Sequence, residues 1–265
     1  MHDILDLQSY PLNEPSSPAF AALVKNCKAE LENNGMFNLP GFMRQPVAEK
    51  QATDLQGRFE TEGFLHERRH NIYFSENVPG VSSDHPVLTR FNTSNRTLCA
   101  DQLRGSALEK LYEWEPFRHF LAEVMERPEL YVMADPLARV NAMSYSNGQA
   151  LNWHFDRSEF TTTLLLQSPE DGGIFEYRPG LRTITSANHD GVANLIKGRD
   201  RKTRTVELEP GTLNVFKGKN TAHRVTPSLG HHARIIAVFS YYERAGVEFS
   251  PEERTGFYGR AEPVC

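Results

Sequence analysis

Apolar residues recur at helical spacing in three stretches of the first half of the chain. Phe20, Leu23, Val24, Cys27 and Leu31 share one face between Ser17-Pro18 and Gly35, which predicts a capped amphipathic helix with proline in its first turn. A second helix is predicted from Val47 to Glu62, with Val47, Leu55 and Phe59 inward. From Asp101 to Arg127 the same period returns in Leu103, Leu108, Leu111, Tyr112, Phe117, Phe120, Leu121 and Val124. The interruption at Pro116 makes this two consecutive helices or one kinked helix. Met36 to Phe42 is short and bounded by Pro40 and Gly41, so it suits a strand leading into a turn. Between about Gly63 and Thr97 periodicity fails. Arg68, Arg69, His70, Tyr73, Arg90, Asn92 and Arg96 stand there among turn formers, and long irregular stretches inside compact domains often carry function.

After Asp135-Pro136 the pattern changes to short strands. They span Ala138 to Ser146, Phe160 to Gln167, Gly173 to Tyr177, Thr203 to Leu208, Thr212 to Phe216, His223 to Thr226 and Arg234 to Tyr242. Gly/Pro turns at roughly ten-residue spacing predict a sandwich or a barrel-like jelly roll. Ser186 to Arg201 reads as an insertion, part helix through Val192, Leu195 and Ile196. The expected fold is therefore mainly β with a helical N-terminal half, a jelly-roll core buttressed by helices. One domain is expected over 1–265, with helix-rich support and substrate loops at 1–135, the core at 136–245 and a tail at 246–265.

Composition narrows the partners. At 265 residues and 39% hydrophobic the chain can bury its own core. A formal charge of −5 gives no basic field for nucleic acid, apart from the local cluster Lys197–Arg204. Cys27, Cys99 and Cys265 are odd in number and far apart, so they read as reduced thiols rather than a disulfide frame or a zinc ribbon. The first residues show no basic and apolar leader pattern, and no run of about 18 apolar residues occurs. A soluble, cytoplasmic protein with no membrane partner is expected.

Candidate chemistry centres on Asn152-Trp153-His154-Phe155-Asp156-Arg157. In an extended backbone His154 and Asp156 point to the same face, which makes half a metal site. His189, His223, His231 and His232 follow, and His223 is the one set in a strand pattern. In a jelly roll, distant strands become neighbours, so His223 can close the site. Two imidazoles and a carboxylate on one face favour non-haem Fe(II) and leave positions open. Arg234 then begins the apolar run Ile235–Phe239. Alone it reads as a surface salt bridge; beside a metal triad, an arginine aimed into a β-core points to a bound carboxylate.

The ordered set His154-Phe155-Asp156, His223 within His-Arg-Val-Thr-Pro, and Arg234 before a hydrophobic strand resembles the Fe(II)/2-oxoglutarate-dependent dioxygenases, over Arg139 to Tyr242. Pro210-Gly211-Thr212-Leu213, the His-Arg-Val-Thr-Pro segment and Phe257-Tyr258-Gly259-Arg260 look like the subgroup of free amino acid halogenases and their hydroxylase relatives. The resemblance implies a double-stranded β-helix in which His154, Asp156 and His223 hold Fe(II) and Arg234 binds the distal carboxylate of 2-oxoglutarate. Dioxygen is the other co-substrate, and succinate and carbon dioxide are released. Halogenases of this type have a small residue at the position of Asp156, so hydroxylation is expected, with desaturation also open.

Asn141, Tyr145 and Thr163 lie on strands expected to line the barrel and to assist Arg234. The expected substrate is a small, polar, amino-acid-like molecule. Arg157 stands where some relatives place an acid for a substrate ammonium, which hints at an anionic group; pairing with Glu159 or with water explains it equally. Arg90, Arg96, His70 and Tyr73 are further candidate substrate contacts, and one of Tyr241 and Tyr242 should face inward. Two rivals remain. A cupin-like binding or isomerase module leaves Arg234 unexplained, and a zinc hydrolase lacks a recognisable general base.

Overall fold

Residues 1–264 are described by the structure, a computed structural model. Along the chain lie α1 (Pro18–Asn34), β1 (Met36–Leu39), α2 (Gln45–Thr61), β2 (Phe64–His70), β3 (Phe91–Leu98), α3 (Ala107–Glu113), α4 (Glu115–Val124), β4 (Tyr131–Val132), β5 (Val140–Tyr145), β6 (Leu151–His154) and β7 (Thr161–Gln167). There follow β8 (Asp171–Gly172), β9 (Phe175–Arg178), α5 (His189–Ile196), β10 (Arg204–Val206), β11 (Leu213–Phe216), β12 (Ala222–Val225), β13 (Ser228–Leu229), β14 (Arg234–Phe239), β15 (Tyr241–Tyr242) and α6 (Pro251–Tyr258).

The helices start and stop where side chains satisfy their free backbone groups. Ser17 Oγ accepts from the Phe20 amide at 3.1 Å, Pro18 occupies the first turn, and Gly35 closes α1 in the left-handed region at φ +75°. No other residue fits there easily, because a Cβ on Gly35 would stand 2.7 Å from Pro179 Cβ. Phe20, Val24, Cys27 and Leu31 are the buried face, as their spacing requires. In α2 the inward face is Ala48, Ala52, Leu55 and Phe59, with Val47 at its margin. The third helical stretch divides at Trp114 into α3 and α4, with Pro116 in the first turn of α4.

Two antiparallel sheets position the site. The larger has seven strands in the order β1-β11-β7-β14-β5-β3-β2, and the smaller has four in the order β10-β9-β12-β6. Strand alternation gives the larger sheet two different faces. Val140, Ala142, Leu164, Val215, Ile235 and Ala237 point outward into the main core, against α1, α2, α3 and α4. Met143, Tyr145, Thr163, Asn214, Arg234 and Ile236 point the other way, into a cavity closed on its far side by His154, Phe175, His223 and Val225 of the smaller sheet.

The stretch expected to be irregular between Gly63 and Thr97 carries a strand at each end, while residues 71–90 between them are turns and loop with one short 3-10 segment. β2 and β3 pair in register from Phe64↔Thr97 to His70↔Phe91 and extend the seven-stranded sheet, so the first half of the chain is not simply helical. Their sequences carry no apolar alternation because the inward face meets the cavity with polar side chains, His66, Arg68, Thr93, Asn95 and Thr97. The opposite face meets solvent. A strand with polar side chains on both faces shows no hydrophobic period to read.

Candidate functional site

The register of the smaller sheet sets His223 of β12 directly opposite His154 of β6. Asp156 lies two residues past the end of β6, where its amide donates to the Gly218 carbonyl at 3.2 Å. Its Oδ1 stands 3.3 Å from His154 Nε2 and its Oδ2 3.4 Å from His223 Nε2. One ligand atom from each of the three residues falls within 4.8 Å of the others, the one such His/Cys/Asp/Glu group among the described residues.

Both imidazoles are oriented by the backbone. Nδ1 of His154 lies 2.8 Å from the Asn152 carbonyl and Nδ1 of His223 lies 3.0 Å from the Thr221 carbonyl. A carbonyl only accepts, so each Nδ1 carries the proton and each Nε2 turns its lone pair toward Asp156. Burial and the neighbouring His223 lower the His154 pKa, favouring the neutral form a metal needs. Burial alone would raise the Asp156 carboxyl, but wherever Nε2 of His223 or His154 carries a proton in place of a metal, that imidazolium holds it well below the usual carboxylate range. Thr161 Oγ1 donates to Oδ2 and fixes the carboxylate plane.

The cavity around this triad measures about 700 Å³, within the roughly 300–1,000 Å³ of small-molecule sites. At its inner end Arg234 of β14 is 3% exposed and lies opposite Tyr145 of β5, with its guanidinium 5.9 Å from the Tyr145 ring. No carboxylate among the described residues pairs with it, and burial lowers its pKa to about 10. A buried cation without a partner is costly, and a planar guanidinium fork matches the geometry of a carboxylate.

The other candidates divide. Tyr145, Thr163, Tyr73 and Arg157 line the cavity. Asn141 does not, being held by its own neighbours: its Nδ2 donates to the Leu137 carbonyl at 2.7 Å and its Oδ1 accepts from Tyr258. Arg157 sits at the rim, 73% exposed, and donates to Glu253 of α6 at 2.8 Å; its expected partner Glu159 is taken by Arg127. Arg90 pairs with Glu76 on the surface. Arg96, at an even position of β3, points to the opposite face from Thr93, Asn95 and Thr97 and reaches Glu60. His70 is buried between Thr93 Oγ1 and the Asn71 carbonyl, under the ring of Phe74. Neither Tyr241 nor Tyr242 enters the cavity, since Tyr241 packs on Tyr112 and Phe117 in the main core and Tyr242 packs beside Tyr258 and Val247.

Sequence reasoning missed Asn214, Arg182 and Lys219 and gave Arg68 no role. The alternation of Asn214 with Leu213 and Val215 was a usable signal. Arg182 and Lys219 lie in turns, where no period points anywhere.

A sequence model of the family described as "HalD: Halogenase D" matches residues 21–255. No curated protein matches. Among solved structures, HygX from Streptomyces hygroscopicus with nickel and 2-oxoglutarate bound shares 12% identity at a TM-score of 0.57, over 85% of this chain and 89% of that one. A Pseudomonas putida prolyl-4-hydroxylase shares 17% at 0.53, over 84% and 100%. An oxidoreductase of the 2OG-Fe(II) oxygenase family from Burkholderia pseudomallei shares 15% at 0.51, over 84% and 92%. Likenesses at such identities are likenesses of fold.

Proposed function

This chain belongs to the halogenase D family, and from that premise we propose that it is an Fe(II)- and 2-oxoglutarate-dependent oxygenase that hydroxylates a small, polar, amino-acid-like molecule. The chain is read as one such domain, with the two sheets forming a double-stranded β-helix. The observation that carries the reading is Arg234, a buried guanidinium without a counter-ion in the cavity that also holds the triad.

The residues fit the groups assigned to them. His154, His223 and Asp156 offer two neutral nitrogens and one anionic oxygen, the donor set that suits non-haem iron and leaves positions for other ligands. Arg234 is the partner for the distal carboxylate of 2-oxoglutarate, with Tyr145, Thr163 and Asn214 around it. Bound there, iron and 2-oxoglutarate supply an oxidation in which dioxygen is consumed, succinate and carbon dioxide leave, and a substrate C–H bond becomes C–OH. The protein contributes binding, orientation and the exclusion of water. Hydroxylation is preferred to halogenation because Asp156, gripped by Thr161 and flanked by both imidazoles, already places an anion where a halide ligand would have to bind.

The test is anaerobic titration of the Fe(II)-loaded protein with 2-oxoglutarate, following the weak visible charge-transfer band. Wild type should give the band, and His223→Ala should abolish it. Arg234→Ala should need about 30-fold more 2-oxoglutarate, for the loss of a charged hydrogen-bonded pair worth about 2 kcal/mol. A folded, iron-loaded wild type without the band would leave a cupin-like binding module. Product mass with and without added chloride separates hydroxylation from halogenation.

A further inference from the structure

The charges around the cavity are one-sided. Arg68, Arg157, Arg182, Lys219 and Arg234 line it, against the single carboxylate of Asp156. Arg157 is neutralised by Glu253, and Arg234 is assigned to the co-substrate. Arg68, Arg182 and Lys219 have no carboxylate at ion-pair distance among the described residues.

Two of these are held in place by aromatic rings. The Arg182 guanidinium stands 3.9 Å from the centre of the Phe155 ring and 5.9 Å from that of Tyr73, and its Nε donates to the Lys219 carbonyl at 2.8 Å. The Arg68 guanidinium lies 4.7 Å from the centre of the Phe74 ring. Tyr73 and Phe74 sit on a loop fixed by Asn71, whose Oδ1 accepts from the amides of Tyr73 and Ser75 and whose Nδ2 donates to the Ser75 carbonyl. Phe74 there takes φ +53°, a conformation unusual for a bulky residue and typical of built sites. Tyr73 lines the same cavity, and its hydroxyl is buried without a hydrogen-bond partner. Stacking orients a guanidinium while leaving its remaining N–H groups free.

We propose that the substrate is a net anion, and that Arg68 and Arg182 at the outer part of the cavity, with Tyr73, receive its carboxylate while Lys219 adds to the field. The proposal rests on the oxygenase reading for the word substrate, but the anion site stands on these residues alone. A free ammonium finds no carboxylate there, because Asp156 is already committed. The class is therefore an acidic or amine-blocked amino acid, or a dicarboxylate, rather than a basic or neutral amino acid.

The probes are L-glutamate, L-glutamine and L-lysine, titrated calorimetrically into wild type, Arg68→Gln and the double variant Arg68→Gln/Arg182→Gln at low salt. Each titration is run without additions and again with Mn(II) and saturating 2-oxoglutarate. Glutamate should bind at least 10-fold tighter than glutamine, with lysine weakest, and the preference should shrink in Arg68→Gln and vanish in the double variant. Arg68 is exposed, so its single variant keeps the test readable if the double variant fails to fold. Lysine binding as well as glutamate, three equal affinities, or a preference untouched by either variant would overturn the proposal. Failure of the oxygenase reading shows separately, as loss of metal-dependent 2-oxoglutarate binding while the glutamate preference persists.

Discussion

A Cβ on Gly218 would stand 2.4 Å from Asp156 Oδ2 and 2.5 Å from Thr161 Oγ1, so the absence of a side chain there is what lets the carboxylate lie between the two imidazoles. Gly218 is not at positive φ, and the constraint is one of space alone. Gly218→Ala should therefore leave the backbone able to fold while pushing Asp156 off its position. We expect metal affinity to fall about 10- to 100-fold, the range for disturbed ligand orientation, with a melting temperature within a few degrees of wild type. Equilibrium dialysis against Fe(II) or Co(II) checks this, and unchanged affinity would mean that Asp156 is not held as described. At this scale the convergence of His154, Asp156 and His223 was legible because period-two alternation and a strand pattern suffice to aim side chains. Which arginine faces inward was not. Arg96 and Arg68 look alike in sequence, and only the register of β2 with β3 sends one outward and the other to the cavity.

Among the elements, α6 is fastened to the body by buried charge. Asp135 is fully buried and accepts from Arg254 Nε at 2.8 Å and from the amides of Leu137, Ala138 and Phe249. Burial alone would raise its pKa, but Arg254 and these amides hold it below the usual carboxylate range. A folded-state pKa depressed below the unfolded one gives stability that is complete above the unfolded value and is lost as pH falls through the folded one. The stability gap between wild type and Asp135→Asn in urea should accordingly be widest near neutral pH and narrow as pH drops below about 4. A gap constant from pH 7 to pH 3 would refute the assignment. Arg254→Met leaves a buried carboxylate unpaired and should cost about 3 kcal/mol at neutral pH. The helices were legible in outline, since Ser17-Pro18, Gly35 and a one-sided apolar face leave little choice. β2 and β3 were not, because strands with polar side chains on both faces carry no hydrophobic signature. The same polarity that hid them makes them part of the site.

Taken as a whole molecule, the chain carries two thiols that report on different parts of it. Cys27 is on the buried face of α1 in the main core, and Cys99 is in a smaller cluster with Met133, Leu137, Ala138 and Tyr258, under α6. Burial pushes both thiols up to about 12. At pH 8 the reactive thiolate fraction of either is then on the order of 10⁻⁴, so labelling requires opening. With Cys265, which lies outside the described residues, replaced by serine, both should label at one rate in wild type if the helices, the two sheets and α6 open together. Arg254→Met removes the fastening of α6 without touching α1. Opening near Cys99 should then become about 100-fold more populated, following the roughly 3 kcal/mol of the broken pair, while Cys27 accelerates less to the extent that α1 opens with α6 still in place. Mass spectrometry of peptides after pulsed alkylation separates the two sites. Equal acceleration at both would mean that α6 and the main core form one cooperative unit, and Phe257 and Tyr258 could then leave the cavity wall only when the whole fold opens.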